Sequence, residues 1–185
     1  MVNVNNDECL KIISVIKNGT ASIRNWAWYY YHVRKWHIMP KKKGEKHTYL
    51  SYVKKDDKAE ERYSWEFLER EFEDNQHLID GIVLKTGFVK DANCVTALDY
   101  DPRNDPTGLG KEIIGKLPQE DVLMTESGSG DGGLHILCEY DSELPNGAIS
   151  GTGIEIKNGA LLVLPPSAHK SGKVYRFKGG FYVVA

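Results

Sequence analysis

An α+β fold is what this sequence predicts. Two stretches with apolar residues at three- and four-residue spacing lie in its first half, and short apolar runs bounded by Gly, Pro and Asn fill its second. At 185 residues it has the length of one domain, with room for two lobes and a sizeable core. Hydrophobic residues at 41% and charged residues at 27% place it among globular rather than disordered chains. Its three cysteines, Cys9, Cys94 and Cys138, are odd in number and widely spaced, which suggests neither a disulfide framework nor a zinc cluster and fits a reducing cytoplasm. The N-terminus is polar, and no apolar run is long enough to span a bilayer, so neither a signal peptide nor a membrane partner is expected.

The first element is a short amphipathic segment, KIISVI, closed by Asn18-Gly19. From Thr20 to Trp36, the positions Ile23, Trp26, Tyr30 and Val33 predict a helix with one buried stripe. Its aromatic residues read as core. WHIMP follows as a short strand and leads into a lysine-rich loop. Between Arg34 and Lys58 lie nine basic residues interleaved with Trp36, His37, Tyr49 and Tyr52, the mixture that a nucleic-acid surface uses for phosphates and bases. Lys41, Lys42, Lys43, Tyr49 and Tyr52 are the template-binding candidates, and Lys46 can reach a phosphate. A solvated basic loop is the open alternative. Asp56 or Asp57 is the expected N-cap of a second helix running to about Asn75.

GIVLKTG, residues 81–87, reads as a strand closed by a Thr-Gly turn. A short polar loop joins it to CVTALDYD, so a hairpin is expected, with Lys85 and Thr86 near one edge of an acidic centre. In CVTALDYD, strand alternation puts Asp99 and Asp101 on one face with Val95 and Ala97. Two acids there repel each other unless a cation sits between them. Carboxylates are hard ligands for Mg²⁺ or Mn²⁺, and two such ions about 3.5–4 Å apart serve in-line phosphoryl transfer. A strand that runs into an Asp-Pro turn is the alternative reading.

After Asp101, PRNDPTGLG is a turn-rich loop and KEIIGKLP a short helix with Ile113, Ile114 and Leu117 inward. DVLMTE is the next strand, and SGSGDGG a flexible connector. No GK[ST] follows that connector, which argues against a Walker-type NTPase. In GLHILCEY, His135 shares a face with Gly133, Leu137 and Glu139, and is either structural or a phosphate donor. In GIEIK, Glu155 and Lys157 project together, either as a surface ion pair or as a third acid beside a phosphate clamp. Asn158-Gly159 predicts a tight hairpin to LLVL. PPSAHKSGKVYRF then presents Ser167, His169, Lys170 and Lys173 on a rigid loop.

In this order, LKTG, TALDYD, GGLHI, GIEIK and LPPSAHKSGKVY resemble the archaeo-eukaryotic primase superfamily, in particular the primase-polymerase group of plasmid and viral replication proteins. The resemblance covers about Ile23 to Phe177. It implies one catalytic domain over 1–185 with two lobes, about 1–90 and 91–185. The second would be an antiparallel-sheet lobe like an RNA-recognition fold, packed against an N-terminal α/β lobe. It also implies that Asp99, Asp101 and Glu155 are catalytic and hold two Mg²⁺ or Mn²⁺ ions, and that His135 contacts nucleotide with Lys157 beside it; Lys46, Ser127 and His169, the last available to a phosphate or to solvent, are the further nucleotide-binding candidates. Gly133 stands where relatives often have serine, so a serine contact falls to Ser127 or Ser129, and Lys157 stands where many have arginine. No zinc is expected, because the cysteine-bearing stem of some plasmid primases has no counterpart between His135 and Glu155.

The implied function is synthesis or extension of nucleic-acid chains on single-stranded DNA from NTPs or dNTPs, in a prokaryotic cytoplasm, plasmid- or virus-encoded. A replicative helicase domain or protein is a candidate partner. A metal-dependent nuclease and a non-catalytic replication-initiator or single-strand-binding module are the rival readings. A rolling-circle nickase is disfavoured because its histidine pair is absent.

Overall fold

The computed structural model describes residues 6–50, 63–118 and 122–178. Among them, four α-helices and nine strands form two antiparallel sheets. The helices are α1 (Asn6–Lys17), α2 (Ile23–His32), α3 (Trp65–Asp74) and α4 (Leu109–Gly115). The first sheet has the order β1 (Ile38–Lys42), β2 (Ile79–Lys85), β8 (Leu161–Leu164). The second joins β6 (Gly147–Ile149), β7 (Ile154–Lys157), β3 (Val95–Tyr100), β5 (Leu134–Glu139), β4 (Leu123–Glu126) and β9 (Arg176–Phe177), in that order. No described helix is long and apolar enough to cross a membrane.

Helix α2 begins where Ser22 and Asn25 form a reciprocal capping box. It is buried on more than the one expected stripe: Ala27, Trp28, Tyr29 and Tyr30 are all inside, because α1, α3 and the first sheet surround it. Helix α3 starts at Trp65, with Ser64 as its cap, later than the sequence suggests. Asp56 and Asp57 lie outside the described residues. In the first sheet, alternate residues of β2 enter different cores: Ile82 and Leu84 join the helices, while Val83 packs with Met39, Val163 and Tyr175. Burial on both faces explains why β2 reads as a continuous apolar run rather than an alternating one.

Two expected hairpins do not form. Strand β2 pairs with β1 and β8, and β3 pairs with β5 and β7, so both edges of each strand are occupied by others. The two meet only at an isolated Gly87–Val95 bridge. Likewise Asn158-Gly159 is a crossover from the second sheet to the first, because β7 pairs with β3 and β6 whereas β8 pairs with β2. Buried Thr86 holds this crossover: its hydroxyl donates to Ala160 O at 3.0 Å and accepts from Ala160 N at 3.0 Å. Since β8 returns to complete the first sheet, the two sheets are not built from consecutive halves of the chain.

The loop after β8 is fastened to β2 by Ser167. Its buried Oγ accepts from Ile82 N at 2.7 Å and donates to Ile82 O at 3.1 Å. This approach requires glycine at 81, where an added Cβ would stand 2.1 Å from Ser167 Oγ. Gly81→Ala should therefore cost roughly 1–3 kcal/mol by overpacking. Urea unfolding monitored by circular dichroism would read this as a lowered midpoint.

Candidate active site

Register brings the candidate residues together. Asp99 on β3 lies directly opposite Glu155 on β7 and opposite His135 on β5. Directly paired residues project from the same face, so the row Glu155, Asp99, His135 crosses three strands on one side of the sheet. Val95, Ala97 and Leu137, which belong to the main core, lie earlier on that same face. Asp101 follows one alternation later, beyond the strand's end, where its N–H donates to Gly153 O at 2.8 Å. Its carboxylate also caps the 3₁₀ turn Pro102–Asn104 by accepting from Arg103 N at 3.0 Å. The two readings of Asp101, turn former and member of an acidic pair, are thus compatible.

Cations stand among these acids. Lys157 Nζ is 2.7 Å from Glu155 Oε1 and 3.8 Å from Asp99 Oδ2. Arg103 grips Asp101 with Nε on Oδ1 and Nη2 on Oδ2, both at 2.8 Å, and reaches Asp131 Oδ2 at 3.2 Å. The Arg103 hydrogen bonds hold the Asp101 carboxyl below its ordinary range. Asp131, in the glycine-rich loop, is likewise lowered, chiefly by a hydrogen bond from Ser129.

His135 is buried, and its Nδ1 lies 3.1 Å from Val163 O on β8. A carbonyl only accepts, so the proton is assigned to Nδ1, which leaves Nε2 facing Asp99 Oδ1 at 3.6 Å. Burial pushes the His135 pKa down, against the pull of Asp99. The imidazole lies against the Tyr175 ring, centroids 5.4 Å apart, and His169 meets that ring from another side at 5.9 Å.

A cavity of about 410 Å³ opens over the row. Asp99, Asp101, Glu155, His135, Lys46, Ser127 and His169 all line it, and Lys157 touches two of its acids. Ser129, Asp131, Lys170 and Arg103 complete its polar wall. The last had been hidden inside a turn-rich stretch; its place two residues after Asp101 is the signal that identifies it. Beside His135, an added Cβ at Gly133 would stand 3.2 Å from Ser127 Cβ, so Ser127 fills the space that a side chain at 133 would take. Lys85 and Thr86 are not among the lining residues; they serve the crossover.

The template candidates fare differently. Lys41 is 2% exposed and paired with Asp80, so its charge is spent inside the fold rather than offered to a strand. Tyr49 is half-buried at the core's margin and donates to Glu71 Oε2 at 2.8 Å. Lys42 and Lys43 are exposed, the former paired with Glu45 at 2.7 Å. Tyr52 lies outside the described residues.

For a divalent metal, the donor set suits in kind: the carboxylates of Asp99, Asp101, Asp131 and Glu155 line one cavity with no thiolate. In arrangement it is not gathered. Among the described residues no three His, Cys, Asp or Glu side chains converge as a metal site; Lys157 contacts both Glu155 and Asp99, and Arg103 both Asp101 and Asp131.

The family model Prim-Pol, described as bifunctional DNA primase/polymerase, N-terminal, matches residues 27–181. No curated protein matches the chain.

Tyr175 provides a test of the wall behind His135. Burial, partly offset by a hydrogen bond with Ser127, pushes its phenol up to about 12. An unfolded tyrosine ionises near pH 10, so the stability due to this raised value is intact below about 10 and is lost as pH climbs towards 12. Tyr175→Phe keeps the ring against His135 and should remove part of the alkaline loss, read from unfolding midpoints between pH 8 and 12.

Proposed function

The chain belongs to the family of bifunctional DNA primase/polymerase N-terminal domains, and from that premise we propose that the cavity around Asp99 joins nucleotides to the 3′-hydroxyl of a strand paired with single-stranded DNA. The observation that supports this reading is the row of Glu155, Asp99 and His135, with Asp101 beside it, in one cavity that Lys46, Lys170 and Ser127 also line. Acids, lysines and a serine hydroxyl in one cavity suit a nucleoside triphosphate that reacts at its α-phosphate and is held by its outer phosphates.

Divalent cations, Mg²⁺ or Mn²⁺, held by Asp99, Asp101 and Glu155 would lower the pKa of the attacking hydroxyl and neutralise charge on the departing pyrophosphate. The protein's own residues do the rest. Lys46 and Lys170 attract the triphosphate, and the Ser127 hydroxyl donates to its oxygens. His135, locked by Val163, offers its Nε2 at the end of the acidic row and donates there when protonated. Lys157 and Arg103 pair with the acids in the free protein, which reduces the repulsion among the carboxylates that share the cavity. Exposed Lys42 and Lys43 remain available to template phosphates.

The test supplies primed and unprimed single-stranded DNA with labelled NTPs or dNTPs and Mg²⁺ or Mn²⁺. Asp99→Ala with Asp101→Ala should reduce extension by about a hundredfold or more. The fold should survive, because Lys157 keeps Glu155 and Arg103 keeps Asp131 as partners. An unchanged far-ultraviolet circular dichroism spectrum checks that. Undiminished synthesis by the double variant would sink the reading, and shortening of the strand without added nucleotide would point to hydrolysis instead.

A further inference from the structure

Lys41 is the largest charge burial outside the cavity. Its side chain is 2% exposed, and its ammonium pairs with Asp80, itself 19% exposed. A buried ion pair is often no more stable than apolar residues of the same size, so its presence calls for a directional purpose. The second oxygen of Asp80 supplies one: Oδ2 accepts from Gly44 N at 2.9 Å. Gly44 has φ +78°, the left-handed conformation that turns the chain back on itself. Lys42 N closes the same turn on His47 O at 2.8 Å, and Lys43 N reaches Leu78 O at 2.8 Å. Lys46 is carried on this closed loop and lines the cavity, although its own residues are otherwise exposed.

We propose that the Asp80 carboxylate is a positioning residue that holds Lys46 over the cavity, through Lys41 on one oxygen and Gly44 N–H on the other. The proposal rests on the nucleotidyl-transfer reading above, in which Lys46 meets the triphosphate. A free lysine loop spreads its charge over many positions; a clamped one holds it at one, and the ordering entropy is spent in folding rather than in binding. The facing loop is held separately, by Ala168 N on Asp80 O at 2.8 Å and by Ser167 on Ile82. A side-chain substitution at 80 therefore acts on the Lys46 loop and leaves the His169 loop's backbone tie in place.

The experiment is a double-variant cycle on the full chain, reading ATP and dATP binding in the presence of Mg²⁺ and KM against kcat in primed extension. Lys46→Ala should weaken nucleotide binding about tenfold, the worth of one charge-assisted contact. Asp80→Ala should raise KM about three- to tenfold with kcat within about twofold, and should add nothing once Lys46 is already alanine. Unchanged binding in Asp80→Ala, or an undiminished effect in the Lys46→Ala background, overturns the proposal, because a structural role would act regardless of Lys46. Should Asp80→Ala fail to fold, Lys41→Met with Asp80→Val replaces the ion pair by apolar packing and frees Gly44 N–H, and the same cycle applies. Nucleotide binding lost on Lys46→Ala but not on Asp80→Ala defeats the clamp alone. A wild-type chain that neither binds nor incorporates nucleotide defeats the nucleotidyl-transfer reading and the clamp with it.

Discussion

The site depends on β3 having a partner along each edge. With β7 on one side and β5 on the other, Asp99 is placed between Glu155 and His135 by backbone hydrogen bonds rather than by loops. Register is the exacting part: a slip of one residue would turn Asp99 to the opposite face, among Tyr100, Ile136 and Ile154, where a carboxylate has no solvent. The apolar residues on both faces of β3 oppose that slip. Val95 and Ala97 anchor one face in the main core, while Leu98 and Tyr100 anchor the other against Ile114 of α4.

Period-two alternation made much of this legible. CVTALDYD, GLHILCEY and GIEIK each state which side chains share a face, and those statements place Asp99 with Asp101, His135 with Leu137, and Glu155 with Lys157. Pairing between strands is a different kind of information. A Thr-Gly or Asn-Gly turn signals a change of direction, and says nothing of whether the chain returns to the strand it left or crosses to another sheet. Both short connections here cross, since β2 buries both faces and draws its second partner from residues 161–164. The basic stretch was ambiguous for a related reason. Lys41 and Lys43 are two apart in one polar run, yet a bulge in β1 and the carboxylate of Asp80 take Lys41 inside.

Charge in the cavity is balanced at several depths. Arg103 is 68% exposed, so its grip on Asp101 is screened by water and exchanges readily with other cations. Lys157 is 16% exposed, and its hold on Glu155 is correspondingly less screened. His135 lies deepest, its pKa pushed down by burial and its ring tied by Val163 to the other sheet. The acids thus meet partners at different depths, and the outermost, Arg103, is the most easily displaced.

The return of β8 to the first sheet bears on how the chain folds during its synthesis. Strand β2 pairs with β1 soon after both emerge, but its other edge waits for Leu161–Leu164, some eighty residues later. In that interval Ile82, Val83 and Leu84 form an open apolar edge, the kind of surface that recruits other chains. The second sheet's central strands, β3 and β5, are made within that same interval. Assembly of the first sheet is therefore completed only after the strands bearing Asp99, His135 and Glu155 have left the ribosome, and no truncation before residue 167 retains the Ser167 fastening on β2.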